Sequence, residues 1–460
     1  MAQGRGHWSS SAGFVLAAAG SAIGLGNLWK FPYITWSNGG GAFVLVYLVC
    51  VAAVGLPIMM AEIMIGRRTQ KSPVGAMAEA VGPAWSWVGG LGVLTGFIIL
   101  GYYTVIAGWT LRSFWSCLGW TFGEFNAESA SADAFASFMA NGPLQIVLSA
   151  LFMAVTMVVV YKGISGGIER VSRLLMPVLF AILVVLLMRA LTLDGAGQAL
   201  KFIFAPDFSQ LSAQGILEAL GHAFFTLSLG MGAMITYGSY LGRRESVAQS
   251  SAIVVVLDTL IAIAATIIMF SVIFSFDMTE QVGKSTVGML FITLPSLFYT
   301  EVPFGNILAP LFYMLVGFAA LTSAISLLEV VVSYFIDQRG MSRIRATLLC
   351  GLSIFALSVL CGLSFGGSEL LSNFTLFQDK PGLFANLDHL AANWLLPVGG
   401  FFITLGAGWL MTKEATESEL VDESTPMWFH YGTWRFFIRY VAPLAVAAII
   451  VAVIRGGDFS

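Results

Sequence analysis

Charge is scarce in this 460-residue chain. Lys, Arg, Asp and Glu make up 10% of it, against roughly a quarter in soluble globular domains, which excludes an ordinary water-soluble enzyme. The net charge is -3, and no block of Lys or Arg exceeds a few residues, so a nucleic-acid surface is excluded too. Cys50, Cys117, Cys350 and Cys361 are the only cysteines. They lie in or beside apolar runs without Cys-x-x-Cys spacing, which speaks against zinc or redox chemistry and for small core residues. His7, His222, His389 and His430 are too dispersed for a metal cluster. No small-residue cleavage site follows the first apolar run, so that run is expected to stay in the mature protein. Low-complexity segments and short-period repeats are also lacking.

What the chain has in abundance is apolar length. Hydrophobic residues make up 58% of it, in runs that recur throughout, and a helix needs about 20 such residues to cross a bilayer core. The pattern predicts an all-α polytopic membrane protein, a single transmembrane domain over 1–460. Its eleven spans are expected at 11–37, 41–69, 86–117, 144–162, 168–191, 216–242, 248–276, 304–337, 343–363, 383–411 and 433–455. Several exceed twenty residues, which implies tilt or breaks. Basic residues follow the second, fourth, sixth and eighth spans: Arg67, Arg68 and Lys71, then Lys162, Arg170 and Arg173, then Arg243 and Arg244, then Arg339, Arg343 and Arg345. All fall on one side, so the N-terminus is expected in the cytoplasm and the C-terminus outside. The acidic stretches 119–143 and 412–427 read as solvated connectors.

Two glycine-interrupted stretches stand out. The first span carries AGSAIGLGNLWKFP and the sixth FFTLSLGMGA. Glycine costs about 1 kcal/mol in a helix interior, so these clusters suggest unwinding, although close packing through small residues is an alternative. Discontinuous helices at matching positions of two halves point to a transporter's midplane site. Unwound backbone exposes carbonyls for a hard cation and N–H groups for a carboxylate. Asn27, Thr226, Asp258, Thr322 and Ser323 all fall near mid-bilayer. Asp258 is the sharpest, because an ionised carboxylate there costs several kcal/mol unless a cation or donor compensates it. A plain helix–helix hydrogen bond is its other reading. Glu62 and Glu329 read rather as buried structural acids. Gly163-Ile164-Ser165-Gly166-Gly167 satisfies the G-x-S-x-G pattern of a serine nucleophile with His222 as a possible base. However, the serine lies in a basic connector and the histidine toward the opposite face, so an intramembrane protease is the weakest reading.

The stretch His7-Trp8, then Gly20-Ser21-Ala22-Ile23-Gly24-Leu25-Gly26-Asn27-Leu28-Trp29-Lys30-Phe31-Pro32 and Asn38-Gly39-Gly40-Gly41-Ala42-Phe43, resembles the neurotransmitter:sodium symporter family. So do Phe224-Phe225-Thr226-Leu227-Ser228-Leu229-Gly230 and Leu321-Thr322-Ser323. The similarity extends over nearly the whole chain. It implies the leucine-transporter-like fold: a 5+5 inverted repeat, repeat one about 11–191 and repeat two about 216–411, with helices one and six unwound and an extra helix at 433–455. An eleven-helix count is similar to a bacterial subgroup that includes multihydrophobic amino-acid and tyrosine transporters. That subgroup also shares the fifth-helix pattern of Gly167, nine residues and Pro177, an unwinding point for sodium's path inward.

The resemblance further implies sodium-coupled symport of a zwitterionic amino acid by alternating access in the bacterial inner membrane, with the lipid bilayer, sodium and the amino acid as its partners. Two sodium sites follow. Site one would comprise Ala22, Asn27, Thr226 and Asp258; site two Gly20, Ile23, Ala319, Thr322 and Ser323. Substrate would contact Ser21, Ala22, Gly24, Gly26, Ile99, Tyr103, Phe225, Thr226, Ser228, Met231, Gly232, Ser323 and Leu327. Arg5 and Asp337, supported by Tyr240, would gate the cytoplasmic end, and Lys30 with Asp388 the outer end. Lys30 stands where many members carry Arg, Asp258 where others carry Asn, and His222 where Gln is common. The pocket residues carry no spare charge, so an apolar or aromatic side chain is expected, with breadth from deformable Met231. Chloride is expected to be dispensable, because Asp258 supplies a negative charge beside the ion. His222, one helical turn before Thr226, could face Asp258 and share a proton with it. A symporter of another small polar solute is the alternative; a channel or a receptor is a further one.

Overall fold

The structure, a computed structural model, describes residues 6–130, 132–243, 245–279, 288–421 and 423–459. Among them there is no strand. An apolar chain has no solvent for its backbone polar groups within a bilayer, and the helix satisfies them internally. Side-chain caps start several spans: Ser10 accepts from Gly13 N, Asn141 from Leu144 N, Ser212 from Gly215 N and Ser246 from Gln249 N.

Nine helices are long and apolar enough to cross a membrane: Gly41–Thr69, Pro83–Phe122, Gly142–Tyr161, Ile164–Ala190, Val247–Ser275, Gly305–Arg339, Arg343–Leu363, Leu383–Leu410 and Tyr431–Ile454. A tenth span is the pair Ser11–Ala22 and Gly26–Ser37, bent by 51°. The sixth span is likewise two pieces, Ala213–Thr226 and Ala233–Gly238. Among the described residues that gives ten spans by length and apolarity against the eleven expected, the two sixth-span pieces each being too short to count alone. In the first break Ile23 is extended; in the second, Ser228, Gly230 and Gly232 have positive φ. Both glycine-interrupted stretches are therefore unwound.

The first span packs in the centre, against the fifth, seventh and eighth, and the third and eighth pack along much of their lengths. Apolar side chains such as Leu174, Met188, Leu444 and Ile454 point outward, which is the face a bilayer would cover. Cys117, Cys350 and Cys361 are buried and Cys50 half-buried, all free.

Both acidic stretches differ from the solvated connectors expected. The third helix runs on to Phe122, and a short helix, Ala132–Ala140, buries Phe135 against Trp109 and Phe291 and Phe138 against Phe135 and the Arg112 guanidinium. In the other stretch the helix Lys413–Leu420 presents Glu419, which pairs with the buried Arg67 at 3.0 Å and accepts a second guanidinium bond on its carbonyl. Apolar burial in the first stretch and a charged partner in the second, both distant in sequence, decide these segments. The fifth helix is helical between Gly167 and Pro177, with a π-turn at Ile164–Glu169.

Candidate ion and solute site

The breaks in the first and sixth spans face each other, with the seventh and eighth spans on either side. Asp258, on the seventh, is fully buried and receives Asn27 Nδ2 at 2.8 Å and Thr226 Oγ1 at 3.0 Å. Tyr47 Oη approaches its other oxygen at 3.5 Å. Asn27 is itself fixed from the unwound turn, since Gly24 N donates to its Oδ1 at 3.1 Å. No basic side chain forms an ion pair with Asp258 among the described residues. Three neutral donors soften the burial of a carboxylate without cancelling its charge, which is the electrostatic setting a small cation would complete.

On the other side of the first break, Ser323 Oγ lies 3.2 Å from the carbonyls of Gly20 and Ser21 and 3.3 Å from that of Ile23. Thr322 Oγ1 donates to the carbonyls of Phe318 and Ala319, both at 3.1 Å. This convergence of neutral oxygens suits a hard monovalent cation. A Cβ on Gly20 would stand 3.0 Å from the Thr322 Cβ and 3.2 Å from the Met176 sulfur. Met176, next to Pro177, is therefore part of this wall, and no sequence signal marks it.

Between the two clusters is a cavity of about 30 Å³ lined by Ser21, Ala22, Gly24, Leu25, Gly26, Asn27, Ile99, Tyr103, Phe225, Thr226, Ser228, Met231, Ser323 and Leu327. Of the residues expected to contact substrate, Gly232 alone does not line it; Gly232 packs on Pro73, where a Cβ would approach to 2.8 Å. Leu25 and Asn27 join instead. Small residues shape the wall: a Cβ on Gly24 would sit 2.8 Å from Ser323 Oγ, and one on Gly26 3.3 Å from the Phe225 ring. No charged side chain lines the cavity. Its polar rim consists of hydroxyls, Asn27 and unwound backbone, and the rest is Ile99, Phe225, Met231 and Leu327.

Tyr103, Phe225, Leu25 and Gly26 also line a second cavity of about 370 Å³ above the first, reaching Lys30, Lys380 and Asp388. Lys30 and Asp388 both face this space, but the Lys30 ammonium bonds the Phe459 carbonyl at 2.6 Å. The opposite, basic end is shut. Trp8 Nε1 donates to the Tyr237 carbonyl at 3.0 Å, its ring packing on Phe14 and Tyr237, and Ser9 bonds Glu169 through its N–H and hydroxyl. Arg5 lies outside the described residues. Asp337 accepts from Ser72 N at 2.6 Å, and the Tyr240 hydroxyl donates to Glu329 at 2.7 Å. Glu329 also takes two bonds from Arg343, at 2.7 and 2.9 Å. It is thus a paired acid of the closed end. Glu62 accepts from Gly230 N at 2.7 Å and holds the sixth-span break.

His222 does not hydrogen-bond Asp258. Its ring stacks on Phe31 and neighbours Tyr47, and neither nitrogen has a hydrogen-bond partner among the described residues. Ser165 is exposed on the basic side and His222 buried, with no contact between them, so no nucleophile–base pair exists there.

The family profile described as the Sodium:neurotransmitter symporter family matches residues 5–134 and 130–456. An uncharacterized sodium-dependent transporter of Bacillus subtilis, YhdH, is 36% identical over 97% of each chain. A Haemophilus influenzae sodium-dependent transporter is 30% identical over 97% of each. Among solved structures, that of MhsT in complex with L-phenylalanine superposes with a TM-score of 0.86 and 40% identity, covering 98% of this chain and 100% of that one.

Proposed function

Because the chain belongs to the sodium:neurotransmitter symporter family, we propose that it uses the sodium gradient to take up an amino acid with an apolar or aromatic side chain, by alternating access. The chain is a multi-pass sodium-dependent transporter with the leucine-transporter-like fold and not an enzyme. The observation that carries it is Asp258, a buried carboxylate with neutral donors only, beside a charge-free cavity. Sodium at site one would sit on Asp258, Asn27, Thr226 and the Ala22 carbonyl. A second ion would be held by Gly20, Ile23, Ala319, Thr322 and Ser323.

The substrate carboxylate would meet the first ion, the N–H groups of the first break and Tyr103, and its side chain would rest on Ile99, Phe225, Met231 and Leu327. A bound phenylalanine in a relative 40% identical over the whole fold supports this polarity of the pocket. At about 30 Å³ the cavity holds roughly two waters, so substrate must displace Phe225 and Met231 outward. Chloride is dispensable in this reading, since Asp258 supplies the charge. The basic end is cytoplasmic by the positive-inside rule and closed by Trp8, Glu329, Tyr240 and Arg343, with Arg5 and Asp337 proposed as a further pair. The 370 Å³ cavity is the outer vestibule, in the bacterial plasma membrane.

Uptake into proteoliposomes, with each of the twenty amino acids as competitor, tests the substrate class. Leu, Phe, Trp and Met should compete strongly. If Asp, Glu, Lys or Arg competes better, the pocket assignment is wrong.

A further inference from the structure

The segment after the eleventh span folds back beside the vestibule, where Asp458 and Phe459 line a neighbouring cavity that also reaches Lys30, Glu218 and His222, and nothing in the sequence foretells it. Asp458 binds Lys380 at 2.5 Å, His389 at 3.3 Å and Asn393 Nδ2 at 2.8 Å. Phe459 N donates to Asn393 Oδ1 at 2.8 Å, and the Phe459 carbonyl receives Lys30 Nζ at 2.6 Å. Phe459 is only 8% exposed. It is seated on Gly221 of the sixth span, where a Cβ would stand 3.5 Å from the Phe459 Cβ. Two residues thus join three elements: the tenth span and its approach through Asp458, the first span through Lys30, and the sixth through Gly221. Lys30 in turn lies 5.7 Å above the Phe225 ring, on the floor of the vestibule.

We propose that the 456–459 segment is a strap that holds the outer vestibule open by occupying Lys30, and that closure hands Lys30 from the Phe459 carbonyl to Asp388. The proposal rests on the outer-vestibule reading above. A backbone carbonyl is a neutral acceptor and Asp388 an anionic one, so the transfer strengthens the bond once the walls approach. While the strap is engaged, Lys30 is spent on a partner that does not draw the first span across the cavity. Removing it should shift the population toward the closed vestibule, because a group that binds only the open state stabilises that state. Asp458 acts here as a positioning residue, through Asn393, Lys380 and the Phe459 backbone.

The test is the rate at which a membrane-impermeant thiol reagent labels Ala385→Cys, which faces the vestibule, in sodium without amino acid. Deleting residues 456–460 should slow labelling several-fold, and adding Asp388→Asn to the deletion should restore it, because the vestibule wall opposite Lys30 then offers it no anion, Glu218 lying on the neighbouring cavity instead. Asp458→Asn, which keeps every residue, should slow labelling in the same direction and covers the case of a deletion that fails to fold. In the doubly substituted chain Gly221→Cys, Phe459→Cys, oxidation should stop uptake and reductant should restore it, since the Cβ separation suits a disulfide. Labelling that is unchanged or faster in both the deletion and Asp458→Asn, or full uptake by the oxidised cross-linked chain, overturns the strap. Labelling reads the vestibule without transport, so its outcome is independent of whether the uptake screen supports the substrate assignment.

Discussion

At the scale of single residues, Asp258 dominates. Its importance was legible because a carboxylate deep in an apolar helix is expensive, and the donors Asn27 and Thr226 followed from the broken stretches on either side. Asp258→Asn removes the charge and keeps the shape, so sodium affinity should fall about tenfold or more, on the order of 1.4 kcal/mol or above. In the same experiment, replacing chloride by gluconate should leave wild-type uptake nearly unchanged, whereas Asp258→Asn should lose uptake or become chloride-sensitive. Wild-type transport that stops in gluconate would refute the charge argument. His222 shows the limit of spacing. One helical turn from Thr226 puts it near Asp258 in projection, but its ring turns toward Phe31 and Tyr47, and only the three-dimensional packing decides that. The sharing of a proton by these two side chains therefore has no direct hydrogen bond behind it.

The broken helices carry the element-scale account. Glycine content alone does not separate the first and sixth spans, since the tenth carries Gly399 and Gly400 at its middle and stays helical; what marks the two is that their glycine clusters fall at matching positions five helices apart. The sixth-span break needs them: Gly230 has φ 78°, and a Cβ on it would come within 2.5 Å of the Leu396 carbonyl oxygen. An L-residue in that left-handed region costs about 1–2 kcal/mol, and the Leu396 backbone cannot yield. Gly230→Ala should therefore cut uptake at least tenfold and lower the melting temperature in detergent, whereas Gly166→Ala, with nothing within 4 Å, should behave like the unsubstituted chain. Equal effects of the two would remove the special role of the break. The fifth helix was harder to read. Gly167 and Pro177 mark a place where winding can fail, but the helix is wound there in this structure, since the sequence sets the weak point and the conformational state sets its use. The helices Ala132–Ala140 and Lys413–Leu420 were missed because they are too short for hydropathy and are fixed by Phe291 and Arg67, far along the chain.

For the whole molecule, the order of the spans is legible from length and apolarity, which the bilayer makes nearly sufficient, whereas the broken sixth span is too short in each piece to be counted that way. Which end is closed is not legible there. That depends on Trp8 reaching Tyr237, and on Arg343 meeting Glu329 across the turn between two helices. In the proposed reading, the result is a solute site between a sealed basic end and a vestibule open on the other side, which is one of the two arrangements that alternating access requires. Under that proposal, coupling demands that sodium and amino acid move together. The most direct measurement is accumulation of labelled L-phenylalanine in proteoliposomes under an inward sodium gradient. The account predicts an internal concentration that rises above the external one and collapses when a sodium ionophore dissipates the gradient; equal concentrations inside and out with the gradient intact, or accumulation that persists without it, would contradict sodium-driven transport of this substrate.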